Sequence, residues 1–342
     1  MRVGIFGAGA IGGYLGVCLS AAGVTTIMVG RSALVALQSN LAAVTLTGRR
    51  LEPAASLVVS ETAGALADVD LCLVTVKARD TREAARELAK VLAPRALVVS
   101  LQNGLSGASL LGAELGRERT LAGVVVFNVA REGATFRKTT KGDVFVGSGC
   151  DRARAQLSSL ARPLRSIGEV LSLRDDIKAV QRAKLLLNLN NGVCAATGLG
   201  IFASIESEDA RWCFAACLRE GLAVLEAHRL AAAQITHVPL PWIARALLLP
   251  SPLIRLAAAS LVGSDSNARS STLVDLESGK ATEIEQLNGA IVALGAECGV
   301  ATPANAAITE LVHGLEAEAA RGTALSFIAP RALRRRISLA SS

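Results

Sequence analysis

One stretch constrains this chain more than any other: Arg2-Val3-Gly4-Ile5-Phe6-Gly7-Ala8-Gly9-Ala10-Ile11-Gly12-Gly13-Tyr14. Val3 to Phe6 has the length and bulk of a buried strand. It runs into Gly7-x-Gly9-x-x-Gly12, and an apolar helical pattern follows from Ile11 to Ala22. Strand, glycine turn and helix, in that order, are the setting in which this spacing binds a dinucleotide. Gly7 allows the tight turn, Gly9 lets the backbone approach a pyrophosphate, and Gly12 lets the helix pack close to the strand. The helix N-terminus then offers free N–H groups and a partial positive charge to an anion. Gly7, Ala8, Gly9, Ala10, Ile11 and Gly12 are therefore the candidate cofactor-binding residues of this turn.

Two blander readings compete. One is a glycine turn that binds nothing. The other is a secretory signal, since Arg2, an apolar stretch and Ser20-Ala21-Ala22 resemble one superficially. Five glycines between Gly4 and Gly13 oppose a helical signal core. The bulk composition agrees with a folded chain: 342 residues suggest two domains, and 51% hydrophobic against 19% charged residues is globular rather than disordered. Aromatics at 3% leave little for stacking single-stranded nucleic acid, so no nucleic-acid partner is expected. The net charge of +7 suits an anionic cofactor and an anionic substrate. Part of it lies in Arg331, Arg334, Arg335 and Arg336, read as a solvated terminus. The seven cysteines include no CxxC pair, so neither a disulfide framework nor a zinc site is expected, and a reducing cytoplasm fits. Cys213 and Cys217 share a helix face as small buried hydrophobes. Leu240 to Val262 is apolar but broken by Arg245, Pro250, Pro252 and Arg255, so it is not read as a membrane span.

The second strand candidate is Thr25 to Val29, followed by Gly30-Arg31-Ser32. The acidic residue that would bond a ribose 2′-hydroxyl is absent there, and an arginine follows. An arginine pairs with a 2′-phosphate that a carboxylate would repel, so Arg31 favours NADP(H) over NAD(H). Strand-like runs recur at Asp70 to Val76, Ala96 to Leu101, Ala122 to Phe127 and Val144 to Gly147, with a helix over Asp80 to Leu92. Alternating strands and helices imply a parallel sheet. Gly133 to Gly142 reads as a hairpin or an added antiparallel edge. Strand signals fade after Leu173, which sets domains at 1–174 and 175–342. Lys77 and Asn103 end two of the strands, where ligands sit in an open parallel sheet. Lys77 suits a phosphate or a helix-initiating surface position; Asn103-Gly104 suits a ribose contact or ordinary turn chemistry.

From Asp175 onward the pattern is helical and rich in Ala and Leu. Lys184 and Asn188 are four apart and share one face of the first long helix. Apolar neighbours (Ala183, Leu185, Leu186, Leu187 and Leu189) would lower the lysine pKa, which suits a general acid; a lysine snorkelling from the helix edge is the alternative. Ala268 to Gly289 reads as a helix ending at Gly279 followed by a new helix. Ser271 and Asp275 share a face, with Ser271 either a carboxylate ligand or a helix N-cap. Thr282 and Glu285 fit a capping box, which does not account for Glu283. Pro239 to Pro252 reads as a connection with one short helix.

Taken together, these motifs resemble the ketopantoate reductase (2-dehydropantoate 2-reductase) family over nearly the whole chain. The resemblance rests on Gly7-x-Gly9-x-x-Gly12 with Arg31, on Val74-Thr75-Val76-Lys77, on Gln102-Asn103-Gly104, and on Lys184-x-x-x-Asn188 combined with Ser270-Ser271, Asp275, Gly279-Lys280-x-Thr282-Glu283-Ile284 and Asn288-Gly289. It implies an α/β N-terminal Rossmann-type doubly wound sheet followed by an all-α C-terminal domain, the 6-phosphogluconate dehydrogenase-like class. It implies that NADP(H) is held by Arg31 and Lys77 at the 2′-phosphate and by Asn103 near the nicotinamide ribose and substrate. It implies Lys184 as general acid and Glu283 as the supporting acid, with Asn103, Lys184, Asn188 and Ser271 as substrate contacts and Glu283 also near the cofactor. No metal is called for, and His228, His237 and His313 lack ligand spacing. Three features differ from the family pattern: Gly192 and Ala268 stand where asparagines are common, with Asn267 adjacent to the second, and a segment is added around Leu240 to Leu261. The reaction implied is NADPH-dependent reduction of ketopantoate to pantoate in pantothenate biosynthesis. Rivals are reduction of another 2-oxo or β-hydroxy acid, and an NADP-binding protein without turnover. The expected partner is a small 2-oxo acid, no membrane is expected, and a homodimer is compatible with the sequence.

Overall fold

A computed structural model describes residues 1–54, 56–251, 253–254 and 268–340. The chain divides into two compact units, Met1–Lys178 and Ala179–Ser342. Of the segment expected around Leu240 to Leu261, residues 252 and 255–261 lie outside the described residues, as does Asn267.

The first unit is built on strands β1 (Arg2–Phe6), β2 (Thr25–Val29), β3 (Ala42–Val44), β4 (Arg50–Leu51), β5 (Val58–Ser60), β6 (Leu71–Val74), β7 (Leu97–Ser100), β8 (Thr120–Val125), β9 (Val129–Glu132), β10 (Thr135–Lys138), β11 (Val144–Gly147) and β12 (Leu171–Arg174). Eight of them form one sheet in the order β12-β11-β8-β7-β6-β1-β2-β5. The run from β5 to β8 is parallel throughout, and β11 joins β8 antiparallel. Strand order therefore reverses beside β1, and ligands bind an open α/β sheet at such a switch point. β6 (Leu-Cys-Leu-Val) and β7 (Leu-Val-Val-Ser) are buried at every residue, the unbroken apolar pattern of parallel strands covered on both faces. Helix α1 (Ala10–Ala21) follows β1 and is buried from Gly12 to Ser20. After the short α2 (Ser32–Val35), helix α3 (Thr81–Val91) is amphipathic: it buries Thr81, Ala84, Ala85 and Leu88 and turns Arg82, Glu83, Arg86 and Glu87 outward. Each such buried leucine contributes about 2 kcal/mol. Helices α4 (Gly107–Leu115) and α5 (Asp151–Ser166) complete the unit.

The expected hairpin near Gly133 is present, but it extends no edge of the main sheet. β9 and β10 belong to a separate four-stranded sheet, β4-β3-β10-β9. Its packing on α1 is tight enough that a Cβ at Gly13 would run into the Phe136 ring. Beside that contact lies a buried polar cluster. Lys138 Nζ is 2.7 Å from Glu169 Oε2, with side chains only 6% and 4% exposed, and Tyr14 donates to Glu169 Oε1 at 2.6 Å. Lys138 also donates to the Gly142 carbonyl at 2.9 Å and lies over the Phe127 ring.

The second unit is helical throughout its described residues. It contains α6 (Ile177–Thr197, whose first turn crosses the unit boundary), α7 (Ile201–Glu206), α8 (Glu208–Ala227), α9 (Leu240–Ala246), and further helices at Ser271–Glu277, Asn288–Cys298, Pro303–Ala320 and Pro330–Ala340. α9 is the short helix expected after Pro239. Cys213 and Cys217 are both fully buried on α8. Arg211 is also fully buried, yet among the described residues no carboxylate bonds it. Its guanidinium donates to the carbonyls of Ile205, Leu247 and Leu249 at 2.8–2.9 Å, tying α7 to the end of α9. Glu220 accepts from the amides of Ala304 and Asn305 and so caps the Pro303–Ala320 helix. The arginine-rich tail is a correction to the solvated terminus expected of it. Pro330–Ala340 is a helix that buries Leu333 and Ile337 completely, and Arg334 pairs with Asp209 at 3.0 Å and stacks on Trp212. The four arginines masked an apolar i, i+4 pair that packs. Among the described residues, no helix is long and apolar enough to cross a membrane.

Removing one member of a buried ion pair strands the other. Lys138→Met is expected to destabilise the first unit by about 3–5 kcal/mol, read as a fall in the midpoint of its urea transition. Adding Glu169→Gln should restore most of the loss, because Tyr14 can still donate to the amide oxygen.

Candidate active site

Gly7 follows β1 with φ +98°, and a Cβ there would lie 2.6 Å from the Val76 backbone nitrogen. No residue with a side chain fits. Gly7 and Ala8 donate to the Val29 carbonyl at the end of β2, at 3.1 and 2.9 Å, and Thr75 Oγ1 donates to the Gly7 carbonyl at 2.8 Å. A Cβ at Gly12 would run into Thr75 Oγ1 and lie 2.6 Å from the Gly7 oxygen. Gly9 differs: it is exposed, and a Cβ there would meet nothing nearer than the Gly7 oxygen at 4.0 Å. Gly9 is also the N-cap of α1, and no side chain caps the helix. Among the described residues the amides of Ala10, Ile11 and Gly12 have no acceptor, while Gly13 donates to Gly9 at 2.8 Å. An uncapped helix start beside an open glycine is a cradle for a pyrophosphate, so the residues present fit a dinucleotide.

The other expected cofactor residues lie at the same ends of neighbouring strands. Arg31 is exposed just beyond β2 and has no ion-pair partner among the described residues. Lys77 follows β6 and Asn103 follows β7, both half-buried. A residue to which the sequence reading gave no role holds these two loops together. Gln102 is buried, donates to the Val76 carbonyl at 3.1 Å and to Thr81 Oγ1 at 2.7 Å, and accepts from Ser100 at 3.0 Å. Its position between a strand end and the Asn-Gly turn was the one available signal.

In the second unit, Lys184 and Asn188 lie on α6. Asn188 is 8% exposed and Lys184 is half-buried, with Ala183, Leu185, Leu186 and Leu189 buried around them. Burial pushes the Lys184 ammonium down to about 8. Among the described residues no carboxylate is paired with it. Ser271 is exposed at the start of its helix, but it is not the N-cap. Ser270 fills that place, accepting from the Leu273 amide at 3.2 Å and donating to the Asn191 carbonyl of α6 at 3.4 Å. Glu283 is 6% exposed and precedes a 3-10 turn, Ile284–Gln286. The capping box expected of Thr282 and Glu285 does not form. The Thr282 amide donates instead to Glu316 at 2.6 Å, and Glu285 turns to His313. A carboxylate from the Pro303–Ala320 helix has taken the place of the local one. At Gly192 a Cβ would run into Asn288 Oδ1 and lie 2.7 Å from Ile308, so the position that departs from the family pattern is closed to a side chain. No group of three His, Cys, Asp or Glu side chains among the described residues is placed to hold a metal ion.

A doubly wound sheet with an open glycine cradle, followed by a helical unit carrying a half-buried lysine, defines the 6-phosphogluconate dehydrogenase-like class of dinucleotide-binding proteins. Within it, this chain belongs to the ketopantoate reductase PanE/ApbA family, whose N-terminal model matches residues 3–149 and whose C-terminal model matches residues 176–316. A 2-dehydropantoate 2-reductase of Archaeoglobus fulgidus is 28% identical over 321 residues, covering 92% of this chain and 98% of its own. The relative from Halobacterium salinarum is 27% identical with the same coverage. A solved PanE/ApbA family ketopantoate reductase from Ralstonia eutropha superposes with a TM-score of 0.77 at 29% identity, covering 93% of this chain and 99% of that one.

Gly9→Val should abolish measurable NADPH binding by fluorescence titration while leaving the melting temperature unchanged, because its new side chain meets only the ligand's space. Gly7→Ala should instead lower the melting temperature, since the strained φ and the Val76 contact act in the absence of ligand.

Proposed function

We propose that this protein reduces ketopantoate (2-dehydropantoate) to pantoate with NADPH, a step of pantothenate biosynthesis. The observation that carries the reading is Lys184: a lysine desolvated to a pKa of about 8, on one helix face with Asn188, in a chain of this family. When bound, NADPH supplies the hydride. The chain's own residues do the rest. The amides of Ala10, Ile11 and Gly12 hold the pyrophosphate, Arg31 and Lys77 the 2′-phosphate, and Asn103 the ribose. Lys184 donates a proton to the oxygen on C2 as negative charge develops there. Asn188 orients that oxygen, Ser271 binds the substrate carboxylate, and Glu283 is the supporting acid. The proposed setting is the cytoplasm, supported by seven cysteines that are all free thiols. The proposed assembly is a homodimer, to be read from its size in solution. A second reading keeps the chemistry and changes the 2-oxo acid. It is favoured by Gly192, where Asn288 and Ile308 fill the space a side chain would need.

The test is NADPH oxidation followed by absorbance, with ketopantoate, pyruvate and 2-ketoisovalerate in parallel. Preference for ketopantoate supports the first reading; preference for another 2-oxo acid supports the second. NADPH binding without oxidation of any substrate overturns both. The pH dependence follows from the sign of the lysine's shift. Reduction needs the protonated ammonium, so kcat/KM should be full below pH about 8 and fall about tenfold per unit above it. Lys184→Ala should lower kcat by about 10²–10⁴-fold with NADPH affinity unchanged.

A further inference from the structure

We propose that His313 is a positioning residue for this reaction: it clamps Glu285 to Glu316 and thereby holds the turn that carries Glu283. The proposal rests on the role given above to Glu283.

His313 lies on the Pro303–Ala320 helix. Its Nε2 is 2.6 Å from Glu285 Oε1, and its Nδ1 is 2.9 Å from Glu316 Oε2. Glu285 is in the Ile284–Gln286 turn, two residues beyond Glu283. The other oxygen of Glu316 accepts the Thr282 amide at 2.6 Å, one residue before Glu283. The buried Glu283 is thus bracketed on both sides by carboxylates that a single imidazole joins. Thr282 Oγ1 closes the turn by accepting from the Ile284 amide at 3.2 Å.

Both ring nitrogens face carboxylate oxygens. A neutral imidazole has one donor and one acceptor, so only the imidazolium can donate to both partners. Burial alone would lower the pKa of His313, but its bonds to Glu316 and Glu285 outweigh that, and the net shift is upward. Burial alone would raise the pKa of Glu316, yet its bonds to Thr282 and His313 bring it down. The charged groups facing His313 are Glu285, from the turn, and Glu316, on its own helix; nearby Glu310 pairs with Arg336 at 2.8 Å instead. An isolated exposed pair contributes little. Here Glu316 is only 20% exposed and is anchored to the backbone, which fixes His313, while the bond from His313 (43% exposed) to Glu285 (60% exposed) extends that anchor to the turn. The sign follows. The clamp is complete below the raised pKa of His313, and it opens as pH rises through that value, when one nitrogen becomes an acceptor facing a carboxylate.

Two variants and two readouts test this. His313→Gln cannot donate to both carboxylates. It should lose amide-exchange protection in the peptide spanning 280–287 at every pH and lower kcat about tenfold, with NADPH affinity unchanged. His313→Lys keeps a positive charge with several donors. It should recover most of the rate and the protection, and remove the loss of protection that the wild type shows as pH rises through the His313 transition. The proposal is overturned if His313→Gln stays within about twofold of wild type in both rate and protection. It is also overturned if both variants lose melting temperature and NADPH affinity together with the rate, which would make His313 a general support. A wild-type protein that reduces no 2-oxo acid would overturn the functional reading instead, and the exchange data would still accept or reject the clamp.

Discussion

The contact between the Gly7–Gly12 turn and the Thr75–Val76 corner governs the first unit. Thr75 Oγ1 bonds the Gly7 carbonyl, and Gly7 and Gly12 both lie too close to that corner to carry a Cβ. This contact fixes where α1 begins relative to β1 and β6, and hence where its three unpaired amides point. The neighbouring loops depend on the same corner. Gln102 reaches the Val76 carbonyl, so the loop bearing Asn103 is tied to the loop bearing Lys77. Four strand ends are thereby held around one switch point by backbone contacts, the Thr75 hydroxyl and the Gln102 amide. A site built on rigid strand ends is more precise than one built on free loops, which matters where a nicotinamide must be held within ångströms of its target.

Most of the main sheet was legible in the sequence because those strands are long enough to show bulk. Thr25 to Val29 and Val144 to Gly147 match the observed strands residue for residue. β3, β4 and β5 were not legible. They are two or three residues long, and their pairing is set by contacts with β10 and β2 rather than by any local pattern. The tail misled because charge dominates its composition, whereas two positions four apart decide its packing. The Thr282 capping box misled because it is a local rule, and Glu316, 34 residues away, competes for the same amide.

Within the candidate site, legibility followed backbone demand. Gly7 and Gly12 announce themselves because no other residue fits there. Lys184 and Asn188 were visible only as a helical spacing, and their spacing alone did not separate a catalytic lysine from one reaching for solvent. What separates the two is the environment, since Ala183, Leu185, Leu186 and Leu189 are all buried around a side chain with no paired carboxylate among the described residues.

Two covered lysines show why that environment matters. Lys138 is 6% exposed and sits 2.7 Å from Glu169, so its charge is matched by a partner within the fold. Lys184 is desolvated with no paired carboxylate among the described residues, and burial weakens its hold on the proton. A carboxylate in contact with Lys184 would restore the usual affinity and slow proton donation. Glu169 is buried against Lys138, whereas Glu285 and Glu316 are engaged by His313 and Glu220 by a helix N-terminus. Burial alone leaves the Lys184 ammonium at a pKa where it can both carry a proton and release it near neutrality.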